Sequence, residues 1–182
     1  MNSWPPKTIE SDITSDPKKV VEELYRLISF EAGELPQWDR FASLFTENAV
    51  MSLRLFPNDT EMWTGSPIQY AEVQVDKAME ESGYSETPIS EQWTIYSAIA
   101  ESRVIFDMQR GDEPPIRCID GYHLIFSKGR WWVTSVLGEI PPPGQGSKRP
   151  CRQYLVLCRH RLWPCGPARL PLATHCAHLP WQ

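Results

Sequence analysis

The stretch IDGYHLIFSKGRWWVTSVLGE, residues 119–139, decides the fold. Apolar residues alternate on both sides of Lys128-Gly129, which predicts two antiparallel strands joined by a tight turn. A two-residue Lys128-Gly129 loop and a four-residue SKGR loop give the same register. Phe126 then faces Trp131, Leu124 faces Val133, Tyr122 faces Ser135, Asp120 faces Leu137 and Cys118 faces Glu139, all on one side. The other side carries Ile125 with Trp132, His123 with Thr134 and Ile119 with Gly138. A loop of odd length would exchange the faces of one strand.

The first face is apolar near the turn and polar away from it, the pattern of a core grading into a pocket mouth. Asp120 needs a reason to be there. An ionised acid on an inward strand face is costly unless paired, and burial raises its pKa, leaving a neutral carboxyl that can donate a hydrogen bond. Two readings are open: an acid facing a ligand, or one paired with an arginine such as Arg103 or Arg117.

Working outward, Asp16-Pro17 supplies an N-cap and a first-turn proline, and Val20, Val21, Leu24, Leu27 and Ile28 follow at helical spacing until Gly33. A second helix is expected from Pro36, with Trp38, Phe41, Leu44 and Phe45 as its stripe, running into the strand ENAVMSLRL. Ser66-Pro67 opens a third, carrying Ile68, Ala71, Val75 and Met79 and ending at Gly83. From Glu91 the period becomes two, through QWTIYSAIA and SRVIFDMQ. Helices followed by antiparallel strands predict an α+β fold.

The chain has 182 residues and 41% hydrophobic content, enough for one domain with a core. It lacks both a run of 18 apolar residues and a basic, then apolar, N-terminal leader, so a cytoplasmic protein without a membrane span is expected. All 23 acidic residues and 12 of the 18 Lys and Arg lie in 1–139, an excess of 11 acids. After Glu139 no acid occurs, and Cys151, Cys158, Cys165 and Cys176 lie among basic residues. The expected organisation is a flexible arm over 1–15, a domain over 16–143, and a disordered basic tail over 144–182. The tail has no CxxC knuckle and no nucleic-acid-binding motif, so neither a metal nor nucleic acid is expected. No cofactor motif occurs.

The passages VVEELYRLISFEAGE, WDRFASLFTENAVMSL, TGSPIQY and GRWWVTSVLGE, in that order and spacing, resemble the nuclear transport factor 2-like superfamily, and within it the SnoaL-like proteins. The resemblance spans roughly 16–143. It implies a curved antiparallel sheet wrapped around about three helices, forming a cone with an internal pocket. It also implies a homodimer through the outer sheet face, where Trp132 and His123 lie. Members include isomerases, cyclases and dehydratases as well as non-catalytic binding modules, so fold is better defined than function. The segment from Asp120 to Trp131, followed by VLGE, looks like the one in which ketosteroid isomerase places a donor Asp. Tyr25 lies near the position of its donor Tyr, with Leu24 as the alternative alignment. The position of its general base falls on Leu53, with Ser52 beside it.

The candidate pocket residues are therefore Asp120, Tyr122, Ser135, Glu139, Tyr25, Trp38 and Trp131, with catalytic residues unassigned. The expected function is binding of a small, largely apolar molecule; an acid-base isomerase, cyclase or dehydratase is the alternative. Tyr25, Tyr122 and the tryptophans have a plainer role as core aromatics, Asp39 as a helix-dipole acid, and His123 as a surface residue.

Overall fold

The computed structural model describes residues 10–75 and 77–141. Expectations for the 144–182 tail and for the first nine residues lie outside them. The helices are α1 (Ser11–Thr14), α2 (Pro17–Ile28), α3 (Trp38–Ala42), α4 (Pro67–Val73) and α5 (Lys77–Ser82). The strands are β1 (Phe45–Leu53), β2 (Trp63–Gly65), β3 (Tyr84–Tyr96), β4 (Ile99–Arg110), β5 (Ile116–Ser127) and β6 (Arg130–Glu139).

Local chemistry sets the helix ends. The Asp16 carboxylate accepts the Lys18 N–H at 2.9 Å, and Pro17 follows at the first helical position, so α2 begins where its donors are satisfied. Its buried face is Val20, Val21, Leu24, Tyr25, Leu27 and Ile28, the expected stripe. At α4, Ser66 and Gln69 exchange the reciprocal bonds of a capping box.

Several boundaries differ from expectation. The arm is ordered earlier: α1 precedes residue 16, Thr14 is buried, and Glu10 pairs with Arg40 at 2.8 Å. The second helix is only α3, because Phe45 already belongs to β1. The third is two helices, and Ile68, read as core, is 51% exposed, whereas Tyr70 and Gln74 are buried. The apolar period there followed the wrong face because the buried stripe contains a glutamine.

One six-stranded sheet runs β2-β1-β6-β5-β4-β3, with β1 parallel to β6 and the other pairs antiparallel. It begins its long β3–β4 ribbon at Tyr84, earlier than the Glu91 expected from the period, and turns at Ser97-Ala98. Register shifts in β1, β3 and between β5 and β6 bend the strands, curving the sheet about the helices. The core lies between α2 and the inner face, where Val104, Phe106, Leu124, Val133 and Val136 are buried. This is the α+β architecture expected, with five short helices among the described residues in place of three. No helix among the described residues is long and apolar enough to cross a membrane.

The 119–139 hairpin follows the expected register from Ser127↔Arg130 to Leu124↔Val133, then shifts by one. His123 pairs with Ser135, Tyr122 with Val136, Asp120 with Gly138 and Ile119 with Glu139. Thr134 is the extra residue, a bulge that exchanges the faces of everything after it on β6. Val136 and Gly138 turn inward, and Ser135 turns outward.

Candidate functional site

A cavity opens between α2 and the inner sheet face. Leu24, Tyr25 and Ile28 line it from α2, Phe41 and Phe45 from α3 and the start of β1, and Tyr70 and Gln74 from α4 and its C-cap. The sheet contributes Tyr84, Glu86, Phe106, Asp120, Tyr122, Val136 and Gly138. Arg54 and the half-exposed Glu139 mark the mouth, joined at 2.5 Å. About 50 Å³ is open to the centre of a water-sized sphere. One water needs about 10–15 Å³ by that measure, so the space suits a few waters or a handful of ligand atoms, not a drug-sized molecule.

Asp120 sits at the heart of this cavity. The Tyr25 hydroxyl donates to its Oδ2 at 3.0 Å and the Tyr122 hydroxyl donates to the same oxygen at 2.9 Å. Oδ1 lies beside Gly138, where an added Cβ would stand 2.5 Å from it and 2.6 Å from Leu53 Cδ2. Glycine there leaves room for an inward carboxyl. Burial pushes the Asp120 pKa up to about 6, against the two hydroxyls, which favour the charged form.

A second carboxyl faces the same space. Glu86 on β3 accepts from the Tyr84 hydroxyl, and burial, reinforced by the negative Asp120, pushes its pKa up to about 8. Two acids that disfavour each other's ionisation share their protons as a unit. Burial, helped by the nearby carboxylates, also raises the pKa of Tyr25, Tyr70, Tyr84 and Tyr122, so all four phenols stay protonated.

The arginine alternative for Asp120 is overturned: Arg103 bonds Gln92, and Arg117 pairs with Asp107 at 2.5 Å. Of the seven candidates, the fold brings Asp120, Tyr122 and Tyr25 together, with Glu139 at the mouth. Ser135 is a correction. The Thr134 bulge turns it to the outer face, where its Oγ meets His123 Nδ1 at 2.9 Å. Trp38 and Trp131 are corrections too: Trp38 packs edge-on against Phe41 at 5.5 Å and Tyr70 at 5.9 Å, outside the cavity lining. Trp131 is buried near the hairpin turn against Phe126, at 5.5 Å, and does not line the cavity. His123 is exposed on the outer face.

Glu86, Tyr84, Tyr70 and Gln74 escaped the sequence. The signal for the first two was the alternation Tyr84, Glu86, Pro88 in YSETPIS, which extends β3 seven residues before the expected start. Leu53, at the position of the isomerase base, lines the cavity, while Ser52 turns outward to Thr64 at 3.0 Å. Among the described residues no three His, Cys, Asp or Glu side chains gather as metal ligands.

No known family profile matches the chain, and no curated protein sequence does. Solved structures do. An NTF2-like protein with a cystatin-like fold from Novosphingobium aromaticivorans is similar over 67% of this chain and 77% of its own, at 11% identity and a TM-score of 0.54. An NTF2-like protein of unknown function from Pseudomonas putida matches over 74% and 90%, at 10% identity and a TM-score of 0.53. Nuclear transport factor 2 from Cryptosporidium parvum matches over 68% and 90%, at 9% identity and a TM-score of 0.50. With helices laid against one curved sheet and these likenesses of structure, the chain has the nuclear transport factor 2-like fold.

Proposed function

We propose that this protein binds a small, largely apolar molecule inside the cone, in the manner of a SnoaL-like pocket protein in the cytoplasm. The cavity carries the reading. Its walls are aromatic and aliphatic, and its few polar groups converge from α2, β3, β5 and the end of α4, the composition of a ligand site. Its size restricts the ligand to a few heavy atoms unless Leu55, Ile140 and the Arg54–Glu139 pair move aside.

A screen of small apolar compounds by NMR tests this reading. Shifts should concentrate at Ile28, Phe106 and Val136, and Leu53→Trp, which fills the cavity, should abolish them. Binding unaffected by Leu53→Trp in a folded protein would place the ligand elsewhere and end the proposal.

Glu86 favours a second reading, an acid-base isomerase, cyclase or dehydratase. Its carboxyl holds a proton near neutral pH and stands in the same cavity as the Tyr25–Asp120–Tyr122 cluster, which suits proton transfer beside a hydrogen-bonded oxygen. Deuterium uptake at the α-carbon of a small ketone, lost in Glu86→Gln, is the expected sign; uptake at the buffer rate would remove this reading.

A further inference from the structure

We propose that the molecule held in this cavity carries a positively charged nitrogen, an ammonium or amidinium on a short apolar stem, gripped by Glu86, Asp120 and Gln74. This rests on the pocket reading above and adds the charge of the ligand's polar end.

Three observations converge. Glu86 and Asp120 line one cavity, and their hydrogen-bond partners are tyrosine hydroxyls, not cations. Arg54 is at the mouth, and its guanidinium already serves Glu139 and the Asp59 carbonyl. The inner acids therefore lack a counter-ion among the described residues. Ionising both acids in this space costs stability, which is why Glu86 keeps its proton, and a cation between them offsets that cost.

Gln74 is the independent sign. It is only 4% exposed and lines the cavity, yet among the described residues its side-chain amide makes no hydrogen bond. An amide that faces the cavity without a protein partner is left to whatever fills the space before it, water or a ligand's polar end. Three of the four tyrosine hydroxyls on the lining are already committed to the carboxyls, so the carboxyl oxygens and the Gln74 carbonyl are left as acceptors for a ligand. A nitrogen bearing several N–H groups can donate to all three at once; an alcohol donates only one hydrogen bond and a ketone none. The faces of Tyr70, Phe41 and Phe106 suit the stem, and an aromatic face attracts a cation besides. The excess of 11 acids over 1–139 draws cations toward the body, and at about 50 Å³ the open space holds the charged head and little more.

The test is calorimetric titration of the full chain with methyl- through hexylammonium chloride against the matching alcohols. At least one ammonium should bind about tenfold or more tightly than its alcohol. Glu86→Gln and Gln74→Leu should each weaken that ammonium about tenfold and leave the alcohol unchanged. Should either variant fail to fold, Asp120→Asn takes its place. Alcohols that bind as tightly as the amines would sink the charge inference while leaving the pocket reading intact. Amine binding indifferent to all three substitutions also overturns it, as attraction to the acidic surface. If neither series binds, the inference and the pocket reading fall together.

Discussion

Glu86 and Asp120 are acids that the fold keeps away from bulk water, and the consequence is a stability profile of unusual sign. A carboxyl whose folded pKa is raised contributes stability that is fully present below its unfolded value and lost as pH rises through the folded one. For Glu86 the window runs from its ordinary value of 4.5 to about 8. Wild-type stability should therefore fall relative to Glu86→Gln as pH rises across it, the difference moving toward the variant by on the order of 3 kcal/mol between pH 5 and pH 8. Melting curves of both proteins from pH 5 to pH 9 check this; parallel curves would mean that Glu86 is solvated. Asp120→Asn keeps an acceptor for both tyrosine hydroxyls and breaks no arginine pair. It should cost less than about 1 kcal/mol, whereas loss of a buried ion pair costs about 3 kcal/mol or more. Denaturant unfolding of the variant separates those two magnitudes.

At the scale of an element, one residue decides which face of β6 lines the site. The pleat repeats every two residues, so the bulge at Thr134 brings Val136 and Gly138 inward and places the small Gly138 beside the Asp120 carboxyl. Deleting Thr134 restores an unbroken ladder and forces a choice. Either Ser135, Leu137 and Glu139 replace Val136 and Gly138 inside, or the hairpin pairs poorly. Both outcomes bury polar groups or open the core, and a loss of about 3 kcal/mol or more is expected, read as a fall in the denaturant midpoint. A variant as stable as wild type would show that the bulge has no role in placing the site. The helices pose a milder case: α2 could be read from its cap, proline and stripe, whereas α4 and α5 hid behind a buried Gln74.

For the whole molecule, the outer sheet face carries Val50 and Leu137, 46% and 64% exposed, around the His123–Ser135 pair. Trp132 lies there under the Arg130 guanidinium, 4.0 Å from the ring centroid. An apolar sheet surface of this kind favours self-association, and a homodimer through this face is our expectation. Trp132→Glu should move the sedimentation coefficient toward the monomer with the circular dichroism spectrum unchanged. A monomeric wild type at micromolar concentration would refute the expectation.

By itself the sequence determined what depends on neighbours along the chain: the start and buried stripe of α2, the capped start of α4, the alternation of β4 to β6, the tight turn at Lys128-Gly129, and the inward side of Asp120 and Tyr122. Propensity, capping and periodicity are local, and they sufficed for the α+β architecture. Tertiary structure alone decided the rest. The bulge at Thr134 answers to packing across the sheet and leaves no mark in an alternating pattern, so Ser135 was placed on the wrong face. Glu86 reaches Asp120's cavity only because β3 and β5 flank β4, a juxtaposition across 34 residues that no local period encodes. Gln74 was hidden for the opposite reason: a polar residue breaks the apolar stripe by which a buried helix face is recognised, and only the cavity before it shows why the fold tolerates it there.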